Sequence, residues 1–417
     1  MLREVGVDFY RFSLSWPRIL PTGFPDEINQ AGVDYYNNLI DELLKYNIQP
    51  MVTLYHWDLP QKLQELGGWA NPHSVDWFGD FAKVAFNAFG DRVKLWVTIN
   101  EPTQICYNGY GNGQLAPFLT FSGVGDYMCA KYLLLAHARA YHIYNEEFRS
   151  TQQGSIFITY SAGWQEPASD EDVAAAQEAV AFDLDQYAYP IFSKSGGWHP
   201  LFQEIIAKKS AEQGFLRSRL PELSDEEIKY LQGTSDYFGL NHYSTYIIYR
   251  NQSVSTHAIP SREDDLNVMW FQPAEWWLDE NDTVKSAPWG FRKLLQYIRE
   301  QYDNPPVYVT ENGCSSLASI DDDNRVSYYR GYLGAMLDAI AEGSDVRGYT
   351  AWSLMDNFEW RKGYTEKFGI YEVDFTSPER TRTPRKSAFV YKEILRSRTL
   401  DYNYEPDTTV MTIDEGH

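Results

Sequence analysis

Short runs of β-branched and aromatic residues recur along this chain, at 9–16, 50–57, 94–100, 155–164, 236–243, 307–311 and 348–354. Between them, at 33–46, 74–89, 127–148, 288–302 and 324–342, apolar residues return every three or four positions, the period of an amphipathic helix. Strands alternating with helices over the whole length predict parallel strands joined by crossover helices. No low-complexity linker interrupts the pattern, so residues 1–400 are expected to form one domain. The stretches 249–287 and 313–323 read as elaborated loops, and 401–417 as a polar, poorly ordered tail. Seven strands fit either an open doubly wound sheet or an eight-stranded barrel with one strand missing. The polar residues favour the barrel. Nearly every run ends in amide or charged groups, as in His56-Trp57-Asp58, Asn100-Glu101, Asn241-His242 and Glu311-Asn312, and chemistry spread around a ring of strand ends belongs to a barrel mouth.

Composition narrows the classes. The 417 residues carry 36 Lys+Arg against 58 Asp+Glu, a formal charge of −22, which argues against a nucleic-acid partner. No apolar run approaches the roughly 18 residues of a membrane span. The first residues lack the plan of a signal peptide, although Asn251-Gln252-Ser253 and Asn281-Asp282-Thr283 would be glycosylation acceptors in a secreted parent protein. Three cysteines cannot all pair with one another, and Cys106 and Cys129 are expected to be free buried thiols. Thirteen Trp and 31 Tyr offer flat apolar faces with polar tips, suited to stacking on sugar rings. Gly109-Tyr110-Gly111-Asn112-Gly113 lacks phosphate-loop spacing. Asp321-Asp322-Asp323-Asn324 lacks the turn glycine and closing Glu of a calcium loop.

Two carboxylates stand out. Glu101 and Glu311 each close an apolar run, each is flanked by Asn, and in a barrel they would face one another across the mouth. Glycoside cleavage with retention uses such a pair about 5–5.5 Å apart, one protonating the leaving oxygen and one attacking the anomeric carbon.

The motifs Arg11-Phe12-Ser13, Ser15-Trp16-Pro17-Arg18, His56-Trp57-Asp58-Leu59-Pro60, Thr98-Ile99-Asn100-Glu101-Pro102, Gly239-Leu240-Asn241-His242-Tyr243, Thr310-Glu311-Asn312-Gly313 and AWSLMDNFEW at 351–360 stand in order. Together they resemble the family 1 glycoside hydrolases, the β-glucosidase family of retaining TIM (β/α)8 barrels, in an animal or insect-like branch. The resemblance implies Glu101 as acid/base and Glu311 as nucleophile, with Arg11 and Tyr243 keeping Glu311 charged and aimed. It implies Asn100 on the sugar 2-hydroxyl, and His56 and Trp57 on the 3-hydroxyl side. Trp352 would lie under the ring, Glu359 and Trp360 would grip the 4- and 6-hydroxyls, and Phe368 would border the pocket. It implies a β-glucoside or related β-glycoside substrate, and neither cofactor nor metal.

Two departures from the family pattern qualify it. Thr283-Val284 stands where a stacking Trp is expected on the aglycone side, with Trp276-Trp277 just upstream. The family's first strand, with its sugar-binding glutamine, would precede Met1, so this polypeptide alone is expected to be an unstable, largely inactive fragment of a secreted enzyme. A catalytically silent glycan- or protein-binding module and a thioglucosidase are the competing readings. Glu101 opposes the plant thioglucosidase pattern, which has Gln there.

Overall fold

The computed structural model describes residues 1–252, 259–276, 285–316 and 320–413. Each apolar run contributes at least one strand, and further strands lie outside the runs; ten strands of the body matter here. They are β1 (Phe9–Ser13), β2 (Gln49–Tyr55), β3 (Leu95–Asn100), β4 (Ser155–Ser161), β5 (Trp164–Pro167), β6 (Phe238–Asn241), β7 (Thr245–Arg250), β8 (Val268–Phe271), β9 (Val307–Asn312) and β10 (Val346–Ala351). Seven of these form one parallel sheet in the order β1-β2-β3-β4-β6-β9-β10, curled into a nearly closed barrel. Its edges, β1 and β10, flank a groove of about 460 Å³ that runs from Leu2 and Leu395 to His56 and Trp352. The run at 155–164 divides, because the chain leaves the barrel after Ser161 and β5 pairs instead with β7, which pairs with β8.

Helices cover the outer face. In Ser74–Phe89 the buried residues Phe78, Phe81, Ala82, Ala85, Phe86 and Phe89 fall on one stripe. Phe81 stacks on Trp16 with ring centroids 4.8 Å apart, so this stripe anchors the helix beneath the β1 and β2 loops. Met51, Val97 and Phe157, packed against Phe9, Tyr237 and Tyr308, form a separate apolar cluster toward the strand starts. One step further along the strands the residues turn polar: Arg11 donates to Thr53, and Thr159 bonds with Thr310. An apolar floor beneath a polar mouth confines the chemistry to the C-terminal ends of the strands.

Glycine lets two of these strands approach. A Cβ on Gly239 would lie 2.6 Å from the Ile158 carbonyl oxygen, and one on Gly313 only 1.9 Å from that of Trp352. Both glycines adjoin site residues, Gly239 within the strand that ends in Asn241 and Gly313 directly after Asn312.

Two expectations are corrected. Cys106 and Cys129 are joined in a disulfide, their Cα atoms 5.3 Å apart, because the segment after β3 packs against the helix Gly125–Ile143; only Cys314 is a free thiol. The described part of the tail lies along the body: Arg330 and Lys392 donate to the carbonyls of Tyr404 and Thr412, and Lys386 pairs with Glu405 at 2.7 Å. Among the described residues no helix is long and apolar enough to cross a membrane.

Candidate active site

Strand register brings the site together. Asn100 pairs with Thr159, Ser161 with Asn241, and Asn241 with Glu311, so polar residues from four strands stand side by side at the mouth. Glu101, just beyond β3, is tied into the same row by its amide, which donates to the Thr159 carbonyl at 3.0 Å.

Arg11, an obligate donor, organises this row. Its Nη1 donates to Glu311 Oε1 at 2.6 Å, and its Nη2 to Asn100 Oδ1 at 2.6 Å. Tyr243 donates its hydroxyl to Glu311 Oε2, also at 2.6 Å. Both oxygens of Glu311 are therefore held, one by a cation and one by a phenol, which fixes the carboxylate's plane. Because the Asn100 oxygen faces Arg11, its amide nitrogen faces His56 Nε2 at 3.2 Å. His56 accepts there and carries its proton on Nδ1. Burial, and then the Arg11 charge, push its pKa well below the ordinary histidine value, in keeping with a neutral ring.

Glu101 has a different setting. It is buried, and it accepts from Asn241 Nδ2 at 2.8 Å. Desolvation first, and the like charge of Glu311 second, push its carboxyl up to about 8, against the weaker opposing effects of Asn241 and Arg11. Glu101 is thus driven toward its neutral form beside a Glu311 held by a cation, an asymmetry that suits acid/base chemistry on a sugar. The backbone is strained at this point. Trp57, Glu101 and Trp360 have φ of 88°, 51° and 45°, values that side-chain-bearing residues adopt mainly where the surrounding structure imposes them.

The remaining expected residues form an aromatic wall. Trp57 donates its ring nitrogen to the Asn100 carbonyl at 2.8 Å and packs on Trp360, centroids 4.4 Å apart. His56 lies parallel to Trp352 and to Trp360, at 6.2 and 6.0 Å. Phe368 meets Tyr243 edge-on at 6.1 Å. Glu359 sits beside this wall with its carboxyl pushed up to about 7 by burial, followed by the charges of Glu311 and Glu366. All eleven residues singled out from sequence therefore gather in one place. Thr283 lies outside the described residues; Trp276 is described and packs edge-on against Trp289 at 5.7 Å.

Sequence reasoning did not single out Asn241, Thr310 or Thr159. Asn241 bridges Glu101 and Asn100, and its own oxygen accepts from Thr310 at 2.6 Å. Its signal was present: Asn ends or follows the strands that carry Glu101 and Glu311, and it ends β6 as well.

Comparison with known proteins agrees with this geometry. The model for glycosyl hydrolase family 1 matches residues 1–400. The chain is 43% identical to human lactase-like protein over 404 residues, covering 95% of this chain and 70% of that one. It is 41% identical to human cytosolic beta-glucosidase over 407 residues, covering 96% and 86%. The structure of aphid myrosinase superposes with a TM-score of 0.89 at 40% identity, over 94% of this chain and 85% of that one.

Proposed function

The chain belongs to glycosyl hydrolase family 1, and we propose that it hydrolyses terminal non-reducing β-D-glucosyl residues with retention, by double displacement. The observation that carries this reading is the unequal treatment of the two carboxyls: Glu311 pinned by Arg11 and Tyr243, Glu101 buried and driven toward its neutral form.

In the first step the Glu311 carboxylate attacks the anomeric carbon while Glu101 gives its proton to the departing glycosidic oxygen. Formation of the glycosyl ester removes the charge of Glu311, and with it one of the causes that raise Glu101. Glu101, now the stronger acid, stays ionised and takes a proton from the incoming water, whose oxygen displaces Glu311. Asn100, placed by Arg11, offers the 2-hydroxyl a partner. The Trp57–Trp360 wall, His56, Trp352, Phe368 and Glu359 supply apolar faces and acceptors for the rest of the ring. Glu359 also disfavours 6-phosphosugars, since two anions in one pocket repel.

The Cys106–Cys129 disulfide supports assigning the protein to an oxidising compartment. Proton NMR of the first product from a β-glucoside tests the mechanism. β-Glucose is expected, and α-glucose would rule out double displacement. No turnover with any β-glycoside, alongside retained binding of a glucose analogue, would favour the silent binding module.

A further inference from the structure

The orientation of the two amides beside Glu101 follows from Arg11 being unable to accept a hydrogen bond. Arg11 makes the Asn100 oxygen an acceptor; Asn241 Nδ2 donates to that same oxygen at 3.1 Å and to Glu101 Oε1 at 2.8 Å. The opposite end of the amide is satisfied by two hydroxyls. Thr310 Oγ1 donates to Asn241 Oδ1 at 2.6 Å, Thr159 Oγ1 lies 3.4 Å from it, and the two threonine hydroxyls bond to each other. With Asn241, Thr159 and Thr310 fully buried, no solvent replaces these partners. A flipped amide would set its oxygen against the oxygens of Glu101 and Asn100, the latter already committed to accepting from Arg11, and would oblige the Thr310 hydroxyl to turn from donor to acceptor.

We infer that Asn241, its amide oriented by Arg11 through Asn100 and held in place by Thr310, is a positioning residue for Glu101. It holds Oε1 as a permanent acceptor and reserves Oε2 as the one oxygen that gives and takes the proton. The inference rests on the acid/base role proposed for Glu101. In glycosylation the proton leaves Oε2 for the glycosidic oxygen as the carbon–oxygen bond breaks; in deglycosylation it returns to Oε2 from water. Loss of the Thr310 hydroxyl leaves the Asn241 oxygen short of a partner and loosens the amide, so that Oε1 loses its fixed donor and holds the proton where it cannot reach the leaving group. The ionisable groups facing Glu101, namely Glu311, Arg11, Tyr243 and Glu359, stay the same when Thr310 is altered.

The test is Thr310→Val, a change of shape by almost nothing and of one hydroxyl, compared with Thr310→Ser. For an alkyl β-glucoside, whose departure needs a proton, Thr310→Val is expected to lower kcat/KM about tenfold and to move the basic limb of its pH profile upward. For 2,4-dinitrophenyl β-glucoside, which departs unassisted, kcat/KM should change less than about twofold. Thr310→Ser should restore both the rate and the profile. Equal losses on the two substrates with an unmoved profile, or no rescue by Ser, would overturn the inference. Should Thr310→Val not fold, Asn241→Ala is expected to steepen the dependence on leaving group, and an unchanged dependence would overturn it equally. Glu101→Ala runs alongside. If it shows no leaving-group dependence, the acid/base role itself fails; if it does while Thr310→Val does not, only the positioning role fails.

Discussion

Asn241 and Glu311 are register partners on adjacent strands, so the amide that holds Glu101 and the carboxylate that faces it share one rung of the barrel. Strand pairing therefore sets where the two side chains start, and Arg11, Tyr243 and Asn241 set where their carboxyls end. His242 continues the same pairing, its amide donating to the Glu311 carbonyl at 3.0 Å. A catalytic pair built on strand ends is held more precisely than one built on loops.

Removal of either carboxyl should leave room for a small anion. Glu311→Ala is expected to abolish turnover, with azide restoring part of it as an α-glucosyl azide, because the anion attacks directly from the vacated face. Glu101→Ala should yield a β-glucosyl azide, since azide attacks the glycosyl-enzyme without a general base. Product NMR distinguishes the two, and the same anomer from both variants would contradict the assignment.

In the proposed mechanism glycosylation needs protonated Glu101, so kcat/KM should fall as pH rises through about 8. Replacing Glu311 by Gln removes the like charge that helps raise Glu101, so its titration, followed by carbon-13 NMR, should move down. Stability carries the same signature. The unfolded carboxyl releases its proton near the ordinary value of 4.5, whereas the folded one keeps it until about 8. Between these values the folded state binds more protons than the unfolded state, so stability declines as pH rises. Glu101→Gln has nothing to titrate, so urea midpoints should show it gaining on the parent across that window, and a constant difference would argue against the raised value.

Sequence periodicity located what depends on neighbours along the chain. The stretch 74–89 is the helix Ser74–Phe89, and all seven runs hold barrel strands. Glu101 and Glu311 were legible because each ends such a run. What escaped depends on register between distant segments. Nothing near Asn241 in sequence says that it lies beside Thr310, 69 residues away. The helix Arg262–Leu266 and strand β8, inside a stretch that reads as loop, owe their place to the buried Arg219–Asp265 pair and to pairing with β7. The Cys106–Cys129 disulfide likewise requires knowing that two segments pack together.

That disulfide makes a simple count. Alkylation of the denatured, unreduced protein should label Cys314 alone, and reduction should raise the label to three, read by mass spectrometry. Cys129→Ala is expected to lower stability by about 2–4 kcal/mol. Three labels without reduction in protein made in an oxidising compartment would disprove the bond.

The loop that carries Glu359, Trp360 and Phe368 is held by charges buried beneath it. Asp356 accepts from both Arg385 nitrogens at 2.9 Å and from the amide of Gly369 at 3.0 Å, and both side chains of the pair are fully buried. Arg385 and Arg325 each donate to the Gly369 carbonyl, at 2.6 and 2.9 Å, which ties the far end of the loop to the same point. Asp356→Ala removes the two-pronged carboxylate partner of a buried guanidinium and should cost about 3–5 kcal/mol, a large share of the roughly 5–15 kcal/mol that holds a typical protein folded. Asp356→Leu combined with Arg385→Met removes both charges and should recover much of that stability, since a paired charge is worth little more than an apolar substitute. It does not restore the bond to Gly369, so the loop's aim should remain disturbed. The double variant is therefore expected to combine a near-parental urea midpoint with a weaker preference for glucosides over fucosides, which lack the 6-hydroxyl that Glu359 is proposed to hold. A double variant as unstable as the single one would show that the main-chain bonds of Asp356, and not its pairing with Arg385, carry the cost.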